Sequence, residues 1–160
     1  MDRPIFDVQG FLDEPRLPAS VAATTGRGKP ALAMMWFVAE ERRLWFHTPV
    51  LDDRPNPFLD AARHNRDVAV MIATFAPPDD VRQVRMTGPA RLETKDVARV
   101  RRIYERYIPG WSPDWADHAA SPNALLWSMS PDRGMAATYP GLENRPVFRW
   151  SAPADGPLNS

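Results

Sequence analysis

Arg82-Gln83-Val84-Arg85-Met86-Thr87-Gly88 reads as one strand that carries hydrogen-bonding side chains through apolar surroundings. It lies inside a longer extended run, residues 81–92. There Gly88-Pro89 marks an edge or a bulge, because proline cannot donate to a ladder. Before it, residues 68–74 form a second apolar strand, and Pro77-Pro78-Asp79-Asp80 turns the chain between the two.

Further upstream the pattern repeats. Residues 21–25 are small and β-branched, as a strand requires. Gly26-Arg27-Gly28-Lys29-Pro30 is a turn signal, with two glycines free to take positive φ. Residues 31–38 are apolar on both faces: Leu32, Met34 and Trp36 on one, Ala33, Met35 and Phe37 on the other. A strand of that kind is expected to be buried on both sides. Residues 43–48, ending in Trp45-Phe46-His47-Thr48, return as a hairpin partner. A proline- and aspartate-rich loop follows, then a short helix over residues 58–65.

After the long strand, residues 96–108 predict the clearest helix, with Val97, Val100, Tyr104 and Tyr107 on its inner face. Pro109-Gly110 stops it. Residues 111–123 read as irregular, anchored by Trp111 and Trp115, and residues 125–129 as a last strand. Short turns join most strands, and no βαβ series appears. The expected fold is α+β, mainly β: an antiparallel barrel with peripheral helices. Residues 1–150 read as a single domain, and residues 151–160 as a disordered tail on composition.

Composition narrows the function. The formal net charge of the 160 residues is zero, so the bulk positive field of a nucleic-acid binder is missing. There is no cysteine, which excludes disulfides, thiolate metal sites and cysteine nucleophiles. His64 and His118 lie far apart with no ligand spacing, so no metal is assigned. No apolar run is long enough to span a bilayer. Met1-Asp2-Arg3-Pro4 lacks the apolar core of a signal peptide, and a cytoplasmic location is the expectation. Lysine occurs only at Lys29 and Lys95.

The order of these segments resembles the pyridoxamine 5′-phosphate oxidase-like superfamily over roughly residues 10–108. The resemblance is carried by Val21-Ala22-Ala23-Thr24, the Gly-rich turn, Trp36-Phe37, Leu44-Trp45-Phe46-His47-Thr48, Asn65-Arg66-Asp67-Val68-Ala69-Val70 and Val84-Arg85-Met86-Thr87-Gly88-Pro89-Ala90. It implies a split β-barrel, a homodimer and a cofactor, FMN or the deazaflavin F420, at the subunit interface. It implies an FMN-dependent oxidoreductase acting on a small molecule. The alternatives are an F420-dependent reductase and a non-enzymatic relative that binds flavin or haem.

By that resemblance Thr48 supplies a hydroxyl and Arg54 a guanidinium to the cofactor phosphate. Asp53 stands where a second basic residue is expected, which favours the non-enzymatic alternative. Arg54 also reads as a loop residue paired with an aspartate. Gln83 would hydrogen-bond the polar edge of the cofactor ring, since an amide offers donor and acceptor together; it also reads as a surface residue of a half-solvated strand. Met34, Met35 and Trp36 would wall the ring, or fill the core as methionine often does. His47 would line the ring or its rim. Trp127 and Arg133 hold the positions where the family places substrate-facing residues.

Overall fold

A computed structural model describes residues 7–138 and 147–159. The reading of Met1-Asp2-Arg3-Pro4 falls outside them. The elements run α1 (Val8–Asp13), β1 (Ala19–Thr24), β2 (Pro30–Met35), β3 (Val38–Glu40), β4 (Arg43–Pro49), α2 (Pro57–Arg63), β5 (Asp67–Ala76) and β6 (Asp80–Leu92). They continue with α3 (Val97–Glu105), α4 (Pro113–Ala120), β7 (Ala124–Met129), β8 (Arg133–Thr138) and β9 (Val147–Trp150). All described pairings are antiparallel. The main order is β2-β1-β5-β6-β7-β4-β3, with β8 joining β6 to β9. The sheet curls without closing, which is the split barrel.

The spine is β6. One edge pairs with β5 along most of its length, from Val81 opposite Phe75 to Pro89 opposite Asp67. The other edge serves two partners in turn: β8 over Arg82–Thr87, then β7 over Ala90–Leu92. The exchange happens at Gly88-Pro89. Pro89 has no N–H to give, and its carbonyl accepts from the Ser130 amide at 3.0 Å. Gly88 is there because a Cβ would lie 1.7 Å from the Ser130 carbonyl oxygen. The break expected at this dipeptide is thus a change of partner. In the β1–β2 turn it is Gly28, at φ +75°, that takes the left-handed conformation.

Alternation fills the core. Val68, Val70 and Ile72 of β5 and Val84 and Met86 of β6 point inward onto Val21, Phe37, Leu44 and Phe46. Helix α2 begins at Asn56, whose Oδ1 accepts from the Phe58 and Leu59 amides, and buries Phe58, Leu59, Ala61 and Ala62. Helix α3 is capped by Asp96, whose side chain accepts from the Arg99 amide. That cap sets the phase: Val100, Ile103 and Tyr104 are buried against Trp45 and Leu126, while Val97 stays exposed. Ile103 therefore takes the inner place that the spacing gave to Val97.

Three expectations change. Residues 113–120, read as irregular, form α4, started by Ser112 with Pro113 in the first turn. Residues 151–159, read as a tail, carry a 3₁₀ turn at Pro153–Asp155. Arg42 clamps that segment by donating from its backbone to the Asn159 carbonyl and from its guanidinium to Pro153, and Leu158 is buried in the core. Strand β2 is not buried on both sides within one chain. It is an outer strand whose Leu32 and Met34 are 75% and 71% exposed.

Candidate functional site

Strand β2 ends beside the C-terminal end of α3, and this corner is tied down by Tyr107. Its hydroxyl donates to the Leu17 carbonyl at 2.7 Å and accepts from the Phe37 amide at 3.2 Å. Trp36 stacks flat on the same ring, 5.1 Å between centroids. Next to it a cleft of about 400 Å³ opens between β2, β4, α3 and α4. Met34, Met35, Trp36, His47 and Thr48 all line it, together with Asn56, Tyr104, Trp115 and His118. The first five were singled out from sequence. The other four were missed. Tyr104 read as part of an apolar helix stripe, and Trp115 and His118 lie on the unexpected α4. Ser112-Pro113-Asp114 was the available signal, a helix start with proline in its first turn.

Behind the cleft is a polar chain. The His47 Nδ1 lies 2.6 Å from the Tyr104 hydroxyl, and its Nε2 lies 2.8 Å from the Lys95 ammonium. Lys95 also donates to the carbonyls of Ala119, Ser121 and Ala124, where α4 ends and β7 begins. Burial, then Lys95, then His118 push the His47 pKa down to about 4, and burial pushes Tyr104 up to about 12. His47 is therefore neutral at pH 7.

That depression has a sign. His47 in the unfolded chain titrates near 6.5, so protons favour the unfolded state as pH falls below that value. The stabilisation is complete above pH 6.5 and is lost on the way down to about 4. The loss reaches at most about 3 kcal/mol. Urea unfolding at pH 7.5 and 4.5 should show it in the wild type and not in His47→Gln; equal slopes in the two proteins would remove the assignment.

The remaining sequence candidates do not reach the cleft within one chain. Arg54 projects into solvent with a side chain 77% exposed, 3.8 Å from Asp53. The loop turns there, Arg54 donating its amide to Leu51, and it is Asn56 that anchors the loop's end over the cleft. Trp127 is fully buried, stacked on Phe46, with its indole N–H donating to Thr48 Oγ1 at 2.8 Å. It shapes Thr48 and offers no surface to a substrate. Arg133 lies on the outer face of β8, 3.4 Å from Asp67. Gln83 is on that same outer sheet face, between Ala73 of β5 and Ala137 of β8.

A second concavity of about 690 Å³ adjoins the cleft and shares Asn56 with it. Arg27 and Lys29 of the β1–β2 turn and Arg63 of α2 line it. Among the described residues none of these three cations is in an ion pair. The one carboxylate beside them, Asp60, is held by Arg66 and His64. The pocket is thus a net positive end to an apolar cleft.

The family model described as pyridoxamine 5′-phosphate oxidase matches residues 8–136. The chain belongs to that family. No curated protein matches it significantly. Among solved structures, a conserved hypothetical protein from Mycobacterium tuberculosis superposes with TM-score 0.64 at 17% identity, covering 84% of this chain and 87% of that one. A FAD and haem binding protein from Mycobacterium smegmatis gives 0.60 at 16%, covering 89% and 80%. An F420 reductase gives 0.53 at 18%, covering 79% and 95%. At these identities the likeness shows the split barrel of the family and not its chemistry. Among the described residues no cluster of His, Asp or Glu could hold a metal ion, and no helix is long and apolar enough to cross a membrane.

Proposed function

We propose that this family member is an FMN-dependent oxidoreductase acting on a small molecule. The observation that carries the reading is the junction at Asn56. A cleft walled by Met34, Met35, Trp36 and Trp115 meets a pocket lined by Arg27, Lys29 and Arg63. Thioethers and aromatic rings suit a flat heteroaromatic ring. Guanidinium and ammonium groups suit a phosphate. The residues present therefore fit a phosphorylated flavin, with the phosphate moved from the expected Arg54 to the β1–β2 turn. The cofactor would supply the redox chemistry. The chain's residues bind it, orient it and exclude water from one face.

The outer sheet face supports a dimer. Leu32, Met34, Met71 and Phe75 all lie on it and are exposed, and apolar side chains gathered on one exposed face suit a protein interface. A second copy seated there is also what would bring Gln83 near a cleft, because Gln83 shares that face. Two-fold symmetry would then build each site from both subunits.

F420 fits the same two pockets. Haem is the weaker reading, since both His47 ring nitrogens are engaged, although His118, Met34 and Met35 in the lining are groups that can ligate iron.

The test is a fluorescence titration of apo-protein with FMN. Arg27→Ala and Lys29→Ala should each weaken binding about tenfold, the worth of one charge-assisted contact near the surface. Arg54→Ala should leave it unchanged. The reverse ranking would return the phosphate to Arg54.

A further inference from the structure

The chain Lys95–His47–Tyr104 contains more order than packing needs. Lys95 by itself would satisfy the last carbonyls of α4, a common task for a lysine at a helix C-terminus. Here the ammonium also meets His47 Nε2 at 2.8 Å. An ammonium can only donate, so that nitrogen must present its lone pair. The Ala124 carbonyl lies near the same ring and has a second lone pair to offer, but a proton on Nε2 would face the Lys95 ammonium at 2.8 Å. The proton of neutral His47 is then on Nδ1 and is donated to the Tyr104 hydroxyl oxygen at 2.6 Å. The phenol accepts there, and its own proton must point elsewhere. Among the described residues the Tyr104 hydroxyl has no second polar partner, and the ring lines the cleft.

We propose that Lys95 locks the tautomer of His47 so that Tyr104 presents its hydroxyl proton to the cleft, as a fixed donor to a carbonyl oxygen or ring nitrogen of the molecule bound there. The site thereby selects ligands with an acceptor at that depth. A purely hydrocarbon face would leave the donor unpaired, at a cost. Burial keeps Tyr104 a phenol well above neutral pH, so the donor is present throughout the physiological range. Lys95 and His47 are positioning residues in this scheme, and of the three only Tyr104 donates to the ligand. The identity of that ligand rests on the FMN reading above; the donor itself does not.

Imidazole ¹⁵N NMR of the whole chain tests the lock, with His47, His64 and His118 assigned by single substitutions. In the wild type at pH 7, His47 should carry its proton on Nδ1 with Nε2 bare, and Lys95→Met should release it to a mixture of tautomers. A proton on Nε2 in the wild type, or a tautomer indifferent to Lys95→Met, would overturn the proposal. Tyr104→Phe removes one oxygen and no packing. It should keep the Nδ1–H tautomer and weaken FMN about three- to tenfold, the range of one hydrogen bond. Unchanged FMN affinity in Tyr104→Phe would overturn the donor role. A wild type that binds no FMN would defeat the cofactor reading, and the tautomer measurement would still decide the lock that frees the Tyr104 proton.

Discussion

Gly88→Ala is expected to cost about 3–5 kcal/mol of unfolding free energy, enough to leave much of the protein unfolded at physiological temperature. The new Cβ would meet backbone, not the end of a flexible side chain: the Ser130 carbonyl oxygen at 1.7 Å and the Asp132 amide nitrogen at 3.0 Å. Ser130 is fixed in turn. Its amide donates to Pro89 and its carbonyl accepts from Asp132, at 3.0 and 2.9 Å. Relief therefore requires moving the link between β7 and β8 away from β6. That movement breaks the place where the spine strand passes from one partner to the other. Urea unfolding of Gly88→Ala beside the wild type measures the cost. A loss below about 1 kcal/mol would mean that the two strands do not approach as described.

The second large effect is on assembly. Leu32 is 75% exposed, so Leu32→Asp should leave the stability of a single chain nearly untouched. If a second copy covers the outer sheet face, the same change buries an unpaired carboxylate in the interface. Association should weaken at least about a hundredfold. Light scattering at micromolar concentration should give twice the 18.1 kDa chain mass for the wild type and one chain mass for the variant. FMN binding should fall with it, because Gln83 would no longer reach a partner's cleft. A monomeric wild type, or a variant that remains dimeric, would remove the shared site.

The barrel was legible because its strands alternate. Val84 and Met86 point in while Gln83, Arg85 and Thr87 point out, and the turn residues between strands are those that turns require. Strands β8 and β9 were hidden. Gly134-Met135-Ala136-Ala137 has no β-branched residue, and its strand exists because β6 offers it an edge. The segment after Ser151 looks like a tail in composition, but one apolar side chain, Leu158, reaches the core and holds it there.

The site was legible on one wall only. Residues 34–36 and 47–48 lie on adjacent features of the cleft, and a contiguous stretch can be read as a wall. The opposite wall comes from α3 and α4, far along the chain. Tyr104 has the spacing of a core residue and the role of a polar one, a difference that appears only when His47 is placed beside it. Where Arg54 points within one chain was not legible, because sequence proximity to Thr48 says nothing of direction. The loop turns it into solvent, and the cations of a different turn, Arg27 and Lys29, occupy the cleft's positive end.

The most direct test of the account is the visible absorption and affinity of the wild-type protein after equilibration with FMN, F420 and haem in separate samples. The account predicts one FMN bound per chain at micromolar affinity or tighter, with a flavin spectrum perturbed from that of the free cofactor. A protein that binds haem and no flavin, or that binds none of the three at micromolar concentration, would contradict it.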